Sequence, residues 1–152
     1  MEIAIDTSIL VGRLNHNDLW HTQAIAIQNT LVRQGLRLTY FDCAVTEAVS
    51  AATRRLFEKG RITKVNELLQ RLNYLIPREE ITWILPDVPR LYQDALSLMQ
   101  TSKGELNFND ALIALACRER GITLIASFDP DFDHVPWLKR VAQPTDVEIV
   151  HK

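Results

Sequence analysis

Glu2-Ile3-Ala4-Ile5-Asp6-Thr7-Ser8 is the stretch on which the fold turns. Glu2 to Ile5 is a short, mostly apolar run that reads as a strand. It ends on Asp6-Thr7-Ser8, residues that favour helix N-caps. A strand feeding straight into a helix is half of a β-α unit, and the chain goes on in the same alternation. Ile9 to Leu14 reads as a short helix and Trp20 to Gln34 as a longer one stopped by Gly35. Leu36 to Tyr40 alternates like a strand. Asp42 is placed to cap a helix through Glu58, with Gly60 as its stop. Arg61 to Leu75 has Ile62, Val65, Leu68, Leu69 and Leu72 at helical spacing, and Pro77 ends it. Ile81 to Leu85 is β-like. Asp87 can cap a helix that holds Pro89 in its first turn and ends near Gln100. Ser102 to Leu106 is a loop. Phe108 to Arg120 reads as a helix with Asn107 as cap and Gly121 as stop. Ile122 to Ala126 is a strand, followed by an acidic loop from Asp129 to His134. Strands around Arg140 to Ala142 and at Val147 to Val150 would close the sheet.

Strands alternating with helices predict an α/β fold: three layers, α/β/α, around a central, mainly parallel twisted sheet. One domain over residues 1–152 is expected, since the chain carries no linker, repeat or low-complexity tract. In such folds ligands bind beyond the carboxyl ends of the strands. Asp6 and Asp129 stand at two such ends.

Composition narrows the function classes. A hydrophobic fraction of 47% with a net charge of −2 supports a packed core and argues against a generic nucleic-acid coat. Cys43 and Cys117 lie in apolar stretches and read as buried thiols of a reducing compartment. No segment is long and apolar enough to span a membrane. Glu2 interrupts any signal-peptide pattern, so a cytoplasmic protein is the expectation.

Four carboxylates sit where the chain changes character: Asp6, Glu47, Asp110 and Asp129. If the fold brings them together, they form a nest of negative charge that calls for a hard cation, Mg²⁺ or Mn²⁺. Each also has a plainer reading. Asp6 suits a helix cap. Glu47 lies nearly opposite the apolar face of Phe41, Val45, Val49, Ala52 and Leu56, which fits a solvated surface. Its neighbours Cys43, Ala44, Ser50 and Ala51 fit a cleft wall better. Asp110 can form a capping box with Asn107. Asp129 begins Asp129-Pro130-Asp131-Phe132-Asp133, which a solvated acidic turn would also explain. An EF-hand is excluded there, because His134 and Arg140 occupy the sixth and twelfth loop positions.

Other chemistries fit less well. The four histidines form no zinc pattern, and there is no phosphate loop or nucleophile elbow. Trp20, Trp83 and Trp137 lack basic-aromatic surroundings and read as core or interface residues rather than base-stacking platforms.

Order and context of the four acids resemble the PIN domain. The matching segments are Ile5-Asp6-Thr7-Ser8, Thr46-Glu47-Ala48-Val49, Asn109-Asp110-Ala111-Leu112-Ile113-Ala114 and Ser127-Phe128-Asp129-Pro130-Asp131-Phe132. They span the chain from Ile3 to about Val141. No acid is missing, and Ser127 stands where Thr is more usual. The resemblance implies a metal-dependent nuclease similar to the VapC-type toxins of bacterial toxin–antitoxin pairs. It further implies a homodimer and a small antitoxin that blocks the cleft.

On that reading Asp6, Glu47, Asp110 and Asp129 hold one or two Mg²⁺ or Mn²⁺ ions, and metal-activated water cleaves RNA to 5′-phosphate and 3′-hydroxyl ends. Ser8, Asn109 and Ser127 would orient the acids, while Asp131 and Asp133 either assist or line the rim. The segment Arg54 to Lys64 holds five basic residues and one acid. Arg54 and Arg55 are its candidate RNA contacts, a solvated basic helix end being the competing account. Two further classes stay in view. One is a non-catalytic PIN-fold binding or regulatory module. The other is a haloacid-dehalogenase-like phosphatase, against which Ser8 counts, since that class needs Asp there.

Overall fold

The central strand of the sheet is β1 (Glu2–Ile5), and the chain builds outward from it in both directions. The computed structural model describes residues 1–150, with side-chain environments through Val147. After β1 come α1 (Thr7–Leu14), α2 (His21–Arg33), β2 (Arg37–Phe41), α3 (Asp42–Glu58), α4 (Val65–Leu75) and β3 (Ile81–Thr82). The second half holds α5 (Val88–Thr101), α6 (Phe108–Arg120), β4 (Leu124–Ala126), β5 (Lys139–Val141) and α7 (Pro144–Val150). Strand order is β3-β2-β1-β4-β5, and every pairing is parallel. Ile3, Ala4 and Ile5 are all at most 1% exposed. Successive strand residues face opposite sides, so helices must cover both faces, as the α/β/α reading requires.

The first β-α units build leftward to β2 and β3, and the later ones build rightward to β4 and β5. Chain direction across the sheet therefore reverses between β1 and β4. At such a switch point the loops leave in opposite directions and open a crevice. Here the crevice lies beyond Ile5 and Ala126, where the Asp6 amide still bonds the Ala126 carbonyl at 3.0 Å.

Several expectations shift. Val147 to Val150 is helix, not strand. The Asp146 carboxylate accepts the amides of Ala142 (2.9 Å) and Gln143 (3.1 Å), which caps a helix begun at Pro144. The strand foreseen from Ile81 to Leu85 stops at Thr82. Asp42 explains this: its buried carboxylate accepts the amides of Ile84 (3.0 Å), Leu85 (2.9 Å) and Cys43 (2.9 Å). That bond set removes Ile84 and Leu85 from the ladder. Asp42 is thus the first residue of α3 rather than its N-cap, which is Phe41. Asp87 makes no side-chain cap and instead lies 3.8 Å from Arg90. The stretch from Arg61 divides into a 3₁₀ turn, Ile62–Lys64, and α4. Among the described residues no helix is long and apolar enough to cross a membrane.

Candidate active site

Asp6 caps α1 and lines the crevice at the same time. Its Oδ2 accepts the Ser127 hydroxyl at 2.7 Å, the Ser8 hydroxyl at 2.8 Å and the Ser8 amide at 3.3 Å. Each hydroxyl accepts in turn: Ser8 Oγ takes the Phe128 amide (3.0 Å) and Ser127 Oγ the Asp129 amide (2.9 Å). The ends of β1 and β4 are therefore tied through one carboxylate oxygen. Burial pushes the Asp6 carboxyl up, against the opposing pull of these donors.

Helix α6 brings in Asp110. Asn107 and Asp110 form a reciprocal capping box, the Asn107 side chain accepting the Asp110 amide (2.9 Å) and Asp110 Oδ2 accepting the Asn107 amide (3.1 Å). The capping account and the cleft account hold together for this residue. Its carboxyl is pushed up to about 7, by burial first and then by the charges of Asp6, Asp129 and Glu47, while the Asn107 amide opposes the shift. Glu47, on α3, is half-buried and its Oε2 accepts Asn109 Nδ2 at 3.0 Å, which joins α3 to α6. Asp129 Oδ1 accepts the Asp131 amide at 2.9 Å as the chain enters the turn Pro130–His134.

All four acids line one open cleft of about 510 Å³, together with Ser8, Asn107, Asp18, Trp20, Arg55 and Phe128. Each commits one oxygen to a protein donor. Asp6 Oδ1, Glu47 Oε1, Asp110 Oδ1 and Asp129 Oδ2 have none. Among the described residues no buried side-chain oxygen lacks a partner, so these four are open to solvent. None of the four acids pairs with Lys, Arg or His there either. The donor set is all oxygen and strongly anionic, which fits a hard divalent cation. No three such side chains among the described residues are already drawn into an ion-sized cage. Wider spacing is what like charges favour.

The remaining candidates divide. Ser8 and Ser127 hold Asp6, and Asn109 holds Glu47 from outside the cleft lining. Asp131 contributes its amide to Asp129, and its own carboxyl is pushed up by burial first and by Asp129 and Glu105 next. Asp133 is clasped by Arg140 through two 2.8 Å bonds, which hold its carboxyl below the usual range. That clasp fastens the turn to β5. Arg55 reaches the cleft, bonded to Asp18. Arg54 does not line it: although two turns past Glu47, its guanidinium is drawn to Glu58 at 2.9 Å.

Sequence reasoning missed Asp18, Phe128 and the position of Trp20. Trp20 is neither core nor remote surface. It lies at the cleft, 45% exposed, with its ring stacked on Phe128. Asp18 two residues before it could have been read as a turn-former, since its Oδ1 accepts the Trp20 amide. Trp137, by contrast, donates Nε1–H to the Ala114 carbonyl and packs on the core.

Comparison with known proteins places this geometry. The sequence model of the PIN domain matches residues 3–138. No curated protein matches the chain by sequence. Among solved structures, Mycobacterium tuberculosis VapC20, described as a Sarcin-Ricin loop cleaving toxin, superposes with a TM-score of 0.66 at 18% identity. The match covers 88% of this chain and 95% of that one. VapBC2 from Rickettsia felis, bound to a DNA fragment from its promoter, gives a TM-score of 0.66 at 15% identity, covering 93% of this chain and 98% of that one. Identities this low speak to the fold.

Proposed function

The chain belongs to the PIN domain family, and from that premise we propose that it is a metal-dependent endoribonuclease, the toxin of a toxin–antitoxin pair. One observation carries the proposal: four carboxylates from four chain segments line a single cleft, each with one oxygen open to solvent and, among the described residues, no cationic partner. Asp6, Glu47, Asp110 and Asp129 are the residues that would hold one or two Mg²⁺ or Mn²⁺ ions. When bound, such an ion lowers the pKa of water and polarises a phosphoryl oxygen.

The chain's own part is arrangement and proton control. Ser8 and Ser127 fix Asp6 through Oδ2 and leave Oδ1 to the cleft. Asn109 and the Asn107 amide do the same for Glu47 and Asp110. With its carboxyl near pH 7, Asp110 must give up a proton from the cleft before four acids can act together. Ser8, in the cleft lining, and the fully buried Ser127 both donate their hydroxyl hydrogens to Asp6 and hold it in place. The reaction proposed is attack by water on phosphorus, and 5′-phosphate and 3′-hydroxyl product ends would distinguish it from attack by the RNA 2′-hydroxyl.

Cleavage of RNA by the purified chain, with Mg²⁺ or Mn²⁺ and with EDTA, beside Asp6→Asn and Asp110→Asn, tests the assignment. Activity that survives EDTA, or variants that cut as fast as the parent, would end it. A PIN-fold module that binds without cutting would show no ion-dependent products at all. The Rickettsia felis structure is of a VapBC complex, which supports a small antitoxin as partner here. The proposed homodimer is checked by light scattering of the isolated chain.

A further inference from the structure

One part of the cleft is aromatic rather than acidic. Trp20 and Phe128 both line it, ring centroids 5.0 Å apart and planes inclined by 24°. Phe128 is half-buried, and its amide is held by Ser8, the same residue that holds Asp6. Trp20 is fixed from its own side of the cleft. Its amide donates to Asp18 Oδ1 at 2.9 Å, and its carbonyl accepts the Ala24 amide at 2.8 Å. Gly12 lets α1 and α2 approach so closely that a Cβ there would meet the Ala24 Cβ at 2.9 Å. The other oxygen of Asp18 accepts from Arg55, so one carboxylate locates both an indole and a guanidinium at the same cleft.

A tryptophan this firmly placed, backed by a second ring, and still 45% exposed beside four acids, calls for a ligand with a π-face. Phosphate alone has little reason to enter an anionic cleft. A base that stacks brings its phosphate with it, and stacking on an aromatic face supplies attraction that does not depend on a cationic partner. We propose that Trp20, backed by Phe128, is the stacking platform for an unpaired nucleobase of the RNA, adjacent to the bond that is cut. Arg55, held by Asp18, faces the neighbouring phosphate. The inference rests on the nuclease reading above and adds the residue that positions substrate. It also sets a requirement: the base must leave its own helix to reach the indole, so cutting falls in unpaired stretches.

The test compares two probes, an RNA decamer of adenosines and an all-abasic decamer of equal phosphate charge. Binding is read by fluorescence anisotropy in EDTA, in an Asp110→Asn background that abolishes turnover and removes one negative charge. The platform predicts that the intact decamer binds more tightly than the abasic one by about 5- to 150-fold, the range for one base–aromatic contact. Trp20→Leu, which keeps an apolar side chain against Phe128, should bring that ratio close to one, whereas Trp20→Phe should keep most of it. Equal ratios in Trp20→Leu and the parent overturn the proposal, as does a parent that does not discriminate. Circular dichroism melts of both variants establish that the fold is kept. Cleavage by the unsubstituted chain is measured separately in Mn²⁺. Failure there removes the nuclease reading while the decamer ratio still decides the platform.

Discussion

Replacing Asp110 by Asn should make the ion-free protein more stable while abolishing its activity. The folded chain keeps the Asp110 proton to about pH 7, whereas an ordinary Asp releases it near 3.8. Below both values the proton is bound in either state and nothing is gained or lost. Between them the unfolded chain is ionised and the folded chain is not, so stability falls as pH rises, and above about 7 the full cost is present. At roughly 1.4 kcal/mol per pH unit the ceiling is about 4 kcal/mol. The open cleft admits solvent, which screens part of it, so about 1–3 kcal/mol is the working figure. Asparagine removes the charge yet keeps an oxygen for the Asn107 amide, so the capping box survives. Alanine would lose that cap at about 1 kcal/mol. For a chain of this length, 1–3 kcal/mol corresponds to a rise in Tm of about 2–12 °C. Melts in EDTA at pH 5 and pH 7.5 read the effect: the parent should weaken between them more than the Asn variant does. Added Mg²⁺ or Mn²⁺ should restore the parent, by about 2.7 kcal/mol at a hundred times Kd, and leave the variant nearly unmoved. A variant less stable than the parent at pH 7.5, together with a parent whose Tm shows no such decline, would refute the crowding of negative charge on which the site depends.

Ser127→Ala should cost about 1–3 kcal/mol in urea unfolding, because the Asp129 amide loses its acceptor and Asp6 a donor; cleavage should fall with it, and an unchanged rate would separate the serine from the site. Gly12→Ala should destabilise by about 1–3 kcal/mol through the contact with Ala24, read as a lowered urea midpoint at constant m. Asp42→Ala leaves the buried Ile84 amide and the part-buried Leu85 amide without their acceptor, and hydrogen exchange at those amides should rise well above that of Ile3. Burial pushes the Cys43 and Cys117 thiols up to about 12, so neither should react with iodoacetamide at pH 8 until the protein unfolds.

What could be read from the sequence was local or periodic. Ile3-Ala4-Ile5 and Leu124-Ile125-Ala126 are continuous apolar runs because parallel strands are covered on both faces. Asn107 and Asp110 are three residues apart, so the box that orients one cleft acid was visible. Gly121, at φ 67°, marked the end of α6 for the reason expected of glycine. Misreadings came from partners distant in sequence or from competing periods. Asp42 looked like a cap because its true partners, Ile84 and Leu85, lie far along the chain. Val147-Glu148-Ile149-Val150 begins with a strand-like alternation, and only the Asp146 cap decides for helix. The basic run that makes Arg54 a candidate contact says nothing of the pull from Glu58 one turn further on. Trp20 stands in a polar connecting segment, and nothing before the fold says which ring it will meet.

Asp6, Glu47, Asp110 and Asp129 each have one oxygen engaged by the protein, so under the proposed function each would offer an ion a single free oxygen. Ca²⁺ gathers six to eight oxygens and often grips carboxylates by both, whereas Mg²⁺ is content with a few single oxygens and several retained waters. Discrimination against calcium would then come from the serine hydroxyls, asparagine amide and backbone N–H groups that occupy the other carboxylate oxygens. Freeing Glu47 by Asn109→Ala is the simplest way to relax that choice.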